Sequence, residues 1–283
     1  MKENTAFINL FLLSFRGVSL IVLMAFLVVI PDISVAQQRD VPYVPTPNEV
    51  VEKMLDVAKV GPGDYVIDLG SGDGRIVVAA AKRGAFGHGI DIDPQRIREA
   101  KANARQAGVE DRVVFVQDNI FETDFSQASV ITMYLLNSVN LKLRPKLLET
   151  LKPGTRIVSH SFNMNEWKAD DHAQVNHSNI YYWVIPADVA GTWDWQLDGK
   201  KFTMNVNQEF QEVELELKSG NTALEVDESR ISGNRISFAA QHPSNGDKYV
   251  FSGRINGNEI TGIAQIHNGN ESFVEKWAAQ NGN

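Results

Sequence analysis

Ten residues, Val66 to Arg75, restrict the fold of this 283-residue chain more than any others. They read Val-Ile-Asp-Leu-Gly-Ser-Gly-Asp-Gly-Arg: a short apolar strand runs into three closely spaced glycines and then into the Ala-rich helix Ile76 to Arg83. Such a turn belongs at the carboxyl edge of an open α/β sheet, where ligands bind and where a missing Cβ lets them reach the backbone. The flanking sequence keeps alternating. Thr46-Pro47-Asn48-Glu49 reads as a capping box with proline at the first helical position, opening a helix that stops at Gly61. The first strand is Tyr65 to Leu69 and the second Gly87 to Ile92. Asp93-Pro94 caps a helix ending at Gly108, and Val113 to Val116 and Val130 to Tyr134 are further strands. A helix from Leu141 to Leu151 and a strand from Arg156 to Ser159 continue the pattern, which implies parallel strands wrapped by helices on both faces. Ala169 to Val175 and Asn179 to Ile185, around Asn176-His177-Ser178, read as an antiparallel hairpin that brings the sheet to seven strands.

From Gly191 onward helical periodicity is gone. Runs rich in Val, Ile, Phe, Thr and Trp are separated by Asp198-Gly199, Ser219-Gly220-Asn221, Gly233-Asn234, Asn245-Gly246, Asn256-Gly257 and Asn268-Gly269. That spacing predicts about eight strands in a meander curling into a small antiparallel β-barrel or sandwich. Charge divides with the texture: residues 37–185 carry 17 basic and 19 acidic side chains, residues 186–283 carry 8 and 14. The expected organisation is a leader over 1–36, an α/β domain over 37–186 and an antiparallel β-domain over 187–283, the last two each self-contained.

The leader has its own signature. Lys2 and Arg16 precede the apolar run Val18 to Ile30, Pro31 breaks it, and Ser34-Val35-Ala36 offers small residues where an export peptidase reads. It predicts either a signal peptide cut before Gln37 or an uncleaved membrane anchor, with Ala6 to Phe15 extending the run. Both place the remainder outside the cytoplasm, exported to the periplasm or held at a membrane. With 27 basic against 35 acidic residues the chain has no surplus of cations for a phosphate backbone, so nucleic acid is not expected as a partner. Having no cysteine, it has no disulfide, no thiolate nucleophile and no cysteine-bound zinc.

Asp68, Asp91 and Asp118 put a carboxylate at or just beyond the ends of three successive strands, all on one edge of the sheet. Dinucleotide sites space their glycines G-x-G-x-x-G around a pyrophosphate, whereas the spacing here is G-x-G-x-G with Asp68 and Asp73 beside it. Two carboxylates repel a pyrophosphate and attract a cation. S-adenosyl-L-methionine, with an ammonium, a sulfonium and no phosphate, fits that loop.

Asp68 to Gly74, Gly89-Ile90-Asp91 and Gln117-Asp118-Asn119 resemble the successive motifs of class I S-adenosylmethionine-dependent methyltransferases, which implies a Rossmann-like seven-stranded sheet. Pro42-Tyr43-Val44-Pro45, Gly72-Asp73-Gly74-Arg75-Ile76-Val77 and Ala79-Ala80-Ala81-Lys82-Arg83-Gly84 resemble a narrower group. It comprises small archaeal protein-lysine methyltransferases and the mitochondrial enzymes that methylate lysines of the ATP synthase and of the adenine nucleotide translocase. The resemblance spans about residues 41 to 185 and does not cover the leader or the C-terminal strands. It implies that Asp68 with Gly70, Gly72, Asp73 and Gly74 holds the methionine part of the cofactor, Asp91 the ribose and Asp118 the adenine amino group. The residues alone agree on Asp68 and Asp91 and leave Asp118 open between that contact and a turn cap before Asn119.

Met133-Tyr134-Leu135-Leu136-Asn137 lacks the Asp or Asn, paired prolines and aromatic typical of enzymes that methylate adenine or glutamine amides. Tyr43, Tyr134 and Asn137 are the candidate catalytic residues, a neutral polar channel for an amine that must arrive uncharged. The resemblance implies a protein lysine as acceptor. A lipid or quinone methylated at the membrane, and a non-catalytic protein using the β-domain for recognition, are the alternatives. His160, after the fifth strand, reads either as a base near the acceptor or as a structural histidine. No G-x-S-x-G surrounds Ser71, no H-E-x-x-H occurs, and Asp170-Asp171-His172 reads as a hairpin turn rather than a metal site.

Overall fold

The computed structural model describes residues 43–269 and 271–282; the expected leader over 1–36 and Pro42 lie outside the described residues. Five parallel strands form the sheet: β1 (Tyr65–Leu69), β2 (Phe86–Asp91), β3 (Val113–Gln117), β4 (Val130–Met133) and β5 (Arg156–His160). The hairpin of β6 (Asp171–Val175) and β7 (Ser178–Val184) adds antiparallel to β5, giving the order β3-β2-β1-β4-β5-β7-β6. Alternation along each strand sends neighbouring residues to opposite faces. Val66, Val130 and Val158 pack under helix α1 (Asn48–Val57) and helix α2 (Arg75–Lys82), whereas Ile67, Ile131 and Ile157 meet Leu143 and Leu147 of helix α4 (Asn137–Thr150). Helix α3 (Pro94–Ala107) is capped as expected: Asp93 accepts from the Gln95 amide at 2.9 Å, and Gly108 ends the helix at φ 68°.

Two helix starts differ from the sequence reading. Pro47 rather than Thr46 is the N-cap of α1 and no side chain caps it, because the Thr46 hydroxyl is engaged with His160 Nδ1 at 3.2 Å. Helix α4 begins at Asn137, four residues ahead of the expected Leu141. Its first turn, Asn-Ser-Val-Asn, is poor in helix formers, and tertiary hydrogen bonds from Asn137 and Asn140 to the 162–165 loop hold it.

The C-terminal strands close into a barrel. They are β8 (Gly191–Leu197), β9 (Lys200–Glu209), β10 (Glu212–Ser219), β11 (Thr222–Ser232), β12 (Arg235–Gln241), β13 (Lys248–Asn256), β14 (Glu259–Asn268) and β15 (Glu271–Asn281), in the order β10-β11-β12-β13-β14-β15-β8-β9. Inward residues fill it with aromatic rings, among them Trp193, Trp195, Phe202, Phe238, Phe251 and Trp277. Most hairpins turn where glycine permits positive φ: Gly220, Gly233, Gly257 and Gly269 take φ of 57° to 59°. The β9–β10 hairpin instead turns through Phe210-Gln211, with Phe210 at φ 56°.

Barrel and sheet share packing. Phe210 belongs to the hydrophobic cluster on the α4 face of the sheet, and the Ala187 amide donates to the Gly233 carbonyl at 2.8 Å.

Candidate active site

The carboxyl edge of β1, β2, β4 and β5 gathers most of the residues singled out in the sequence. Asp68, next to last in β1, is 2% exposed, and one of its oxygens accepts from Thr132 on β4 at 2.6 Å. Burial pushes its carboxyl from 3.8 up to about 7; the Thr132 bond opposes that, while Asp91 and Asp73 add to it. A buried carboxylate with two acidic neighbours and no cation beside it among the described residues is a site for a positive ligand.

The glycine loop follows. A Cβ on Gly72, at φ 52°, would stand 2.6 Å from the Tyr43 ring, so Tyr43 lies directly on the loop. Arg96 also meets that ring, its guanidinium carbon 4.4 Å from the Tyr43 centroid. Asp73, inside the loop, is already paired. Arg75 grips it through Nε at 2.9 Å and Nη2 at 2.7 Å, and Arg75 Nη1 donates to the Thr46 carbonyl at 2.8 Å. Burial would raise the Asp73 carboxyl, but the hydrogen bonds and charge of Arg75 hold it below the usual range. Asp73 therefore tethers the 43–47 segment. A groove of about 590 Å³ between α1, α2 and α3 has Asp73 and Arg75 in its wall, with neither Asp68 nor Asp91.

Asp91 ends β2 with both oxygens partly engaged, one accepting from the Gly72 amide at 2.8 Å and the other from the Asp93 amide at 2.9 Å. Each oxygen keeps a second lone pair for a hydroxyl. Asp118 behaves as the cap of its own loop: its oxygens accept from the Asn119 amide at 2.7 Å and the Thr123 hydroxyl at 2.6 Å. The Thr123 bond, ahead of the Asn119 amide, lowers its pKa.

Beyond β4 and β5 lies a wall of neutral side chains. Tyr134 packs tilted against His160, centroids 3.9 Å apart, and stacks on Phe162 at 6.2 Å. Burial drives the His160 pKa from 6.5 to about 4, so the imidazole is uncharged at neutral pH. Asn137 Nδ2 donates to the Asn163 carbonyl and side-chain oxygen, both at 3.2 Å, and to Asn165 Oδ1 at 3.3 Å. Tyr134 and Asn137 thus share one wall, while Tyr43 sits over Gly72; the 43–47 segment links the two through Thr46 and His160. Thr132, Arg96, Phe162, Asn163 and Asn165 were not anticipated. Thr132 was detectable as the one polar residue inside the apolar run Val130 to Met133; the others depend on long-range folding.

The donor set fits S-adenosylmethionine. Asp68 wants a cation, Asp91 keeps acceptor capacity toward a ribose, and the Ser71 hydroxyl inside the loop is buried with no hydrogen-bond partner among the described residues. Comparison with known proteins agrees. Residues 68–171 match the ANTKMT methyltransferase domain. A protein-lysine N-methyltransferase of Saccharolobus islandicus is 48% identical over 151 residues, covering 51% of this chain and 94% of that protein. The Mus musculus adenine nucleotide translocase lysine N-methyltransferase is 33% identical over 129 residues, 45% of this chain and 56% of that protein. A crystal structure described as an RNA methyltransferase from Salinibacter ruber with S-adenosyl-L-homocysteine is 51% identical, with a TM-score of 0.51 over 52% of this chain and 96% of the other.

Sheet order and site define a class I methyltransferase, an enzyme that uses S-adenosylmethionine. Within that class the chain belongs to the family that carries the ANTKMT methyltransferase domain.

Proposed function

We propose that this enzyme methylates the side-chain amine of a protein lysine. The observation that carries the reading is the neutral wall of Tyr134, His160, Phe162 and Asn137. Free lysine has a pKa of about 10.4, leaving on the order of one in a thousand uncharged at neutral pH. A wall of uncharged groups favours the neutral amine, whereas a carboxylate there would keep it protonated. When bound, the cofactor supplies an electrophilic methyl on its sulfonium. Asp68 and Asp91 hold and orient it, Tyr43 covers the glycine loop, and Tyr134 and Asn137 line the approach of the amine. Positioning and exclusion of water do most of the catalytic work in such a transfer.

Relatives named as lysine methyltransferases support this reading; the RNA methyltransferase name of the Salinibacter protein points elsewhere. Charge weighs against RNA, since the formal net charge is −8 and the barrel half carries 8 cations to 14 anions. The leader supports export or membrane attachment: a mature N-terminus at Gln37 in the periplasm, or Met1 retained in a membrane fraction, fits it, and Met1 in soluble cytoplasm overturns it. Incubation with methyl-labelled cofactor and an envelope protein extract tests the acceptor. Label on lysine after digestion, with a rate rising from pH 7 to 9, is expected; label confined to RNA, lipid or small molecules rejects the proposal.

A further inference from the structure

We infer that the barrel positions the acceptor wall of the methyltransferase through the tip of its β9–β10 hairpin, with Phe210 and Gln211 as positioning residues. The backbone gives the first sign. Phe210 adopts φ 56° at the turn position where Gly220, Gly233 and Gly257 stand in sister hairpins. A bulky side chain in the left-handed region is strained and persists where surrounding contacts over-determine it.

Those contacts reach the loop that follows β5 and the helix α4 that grips it. The Phe210 ring stacks on Trp167 at 5.9 Å and 19°, and the Arg144 guanidinium of α4 lies 5.5 Å from its centroid. Trp167 Nε1 donates to Gln211 Oε1 at 2.8 Å, and Gln211 Nε2 donates to the Lys168 carbonyl at 2.7 Å. Trp167 is fully buried, so its indole N–H depends on Gln211 for a partner.

The same loop is gripped from its other side by α4. Arg144 Nη1 donates to the Met164 carbonyl at 2.8 Å, Asn140 Nδ2 to the Phe162 carbonyl at 3.2 Å, and Asn137 to Asn163 and Asn165. Phe162 stacks on Tyr134. The segment 161–168 is therefore a clamped strap with the barrel tip at one end and the acceptor wall at the other. Its strained entry, Ser161 at φ 65°, makes it dependent on those clamps. A loose strap would shift Phe162, Asn163 and, through them, Tyr134 and Asn137, with no effect on Asp68 or Asp91.

Phe210→Gly separates positioning from folding, because glycine relieves the turn while deleting the ring. In the intact protein, amide hydrogen exchange over 161–168 should quicken by about tenfold, while peptides of the glycine loop and barrel core stay unchanged. Cofactor affinity by calorimetry should stay at the parent value, and Phe210→Tyr, which keeps the ring, should restore parental exchange. With poly-L-lysine as methyl acceptor, Phe210→Gly should raise the acceptor KM or lower kcat several-fold. That kinetic arm rests on the lysine reading; absence of transfer to poly-L-lysine by the parent would count against that reading alone, and hydrogen exchange would still decide the clamp. Parental exchange over 161–168 in Phe210→Gly, or parental KM and kcat where the parent is active on poly-L-lysine, would overturn the inference.

Discussion

Replacing Asp68 by asparagine should make this protein more stable and a worse binder of its cofactor. Burial raises the Asp68 carboxyl from 3.8 to about 7, so the folded chain holds that proton more tightly than the unfolded chain does. A raised carboxyl pKa adds stability that is full below about pH 4, is lost as pH climbs toward 7 and is absent above it. The difference between 3.8 and about 7 corresponds to roughly 4 kcal/mol. Asparagine still accepts from the Thr132 hydroxyl and has no charge to bury. Asp68→Asn should therefore match the parent near pH 4 and exceed it by about 4 kcal/mol at pH 8, roughly 10 °C in Tm for a chain of this size. Cofactor binding should move the opposite way, because the ligand's cation pairs with the carboxylate. Parent affinity should strengthen from pH 6 to 8, and the variant should bind about 10- to 100-fold more weakly with little pH dependence. Scanning calorimetry and titration calorimetry across pH 5 to 8 measure both. A Tm difference that stays constant with pH, or a variant less stable than the parent at pH 8, would refute the reasoning.

Asp91→Ala should weaken cofactor binding by roughly 1.5 to 3 kcal/mol and also loosen the loop, since Gly72 and Asp93 lose their acceptors; titration calorimetry and denaturant unfolding report the two effects. Gly72→Ala places a methyl 2.6 Å from the Tyr43 ring at a left-handed φ, and should displace Tyr43, seen as altered tyrosine fluorescence and a raised cofactor Kd. Tyr134→Phe should lower kcat more than cofactor affinity, keeping the ring contact with His160 while losing the hydroxyl; equal losses in both would remove Tyr134 from the acceptor wall.

Much of the cofactor edge was legible because its logic is local. Strand, glycine turn and helix follow one another within Tyr65 to Lys82, and Asp93-Pro94 with Gly108 brackets α3 by chemistry confined to a few residues. Thr46 misled for the same reason: a capping box is a local pattern, and its hydroxyl was claimed by His160, 114 residues away. The barrel's turns were readable wherever glycine marked them, and Phe210-Gln211 was missed because a turn built on tertiary contacts leaves no such mark. The length of the stretch from Lys200 to Ser219 without a glycine or Asn-Gly was the one available hint that a reversal lay inside it. The proposed acceptor wall was half visible. Tyr134 and Asn137 stand next to β4, but the loop that orients them comes from beyond β5 and is held by the barrel.

A closed barrel also sets an order of events during synthesis. β8 is made first and pairs with β15, made last, in register at Gln280 with Asp194 and Asn281 with Trp193. Until Asn281 has emerged, β8 and the newest strand carry bare edges able to recruit other chains. The contact that ends this exposure joins opposite ends of the module, so closure is a late, slow step. Weakening that seam should therefore lower the yield of soluble protein far more than the activity of the molecules that succeed in closing.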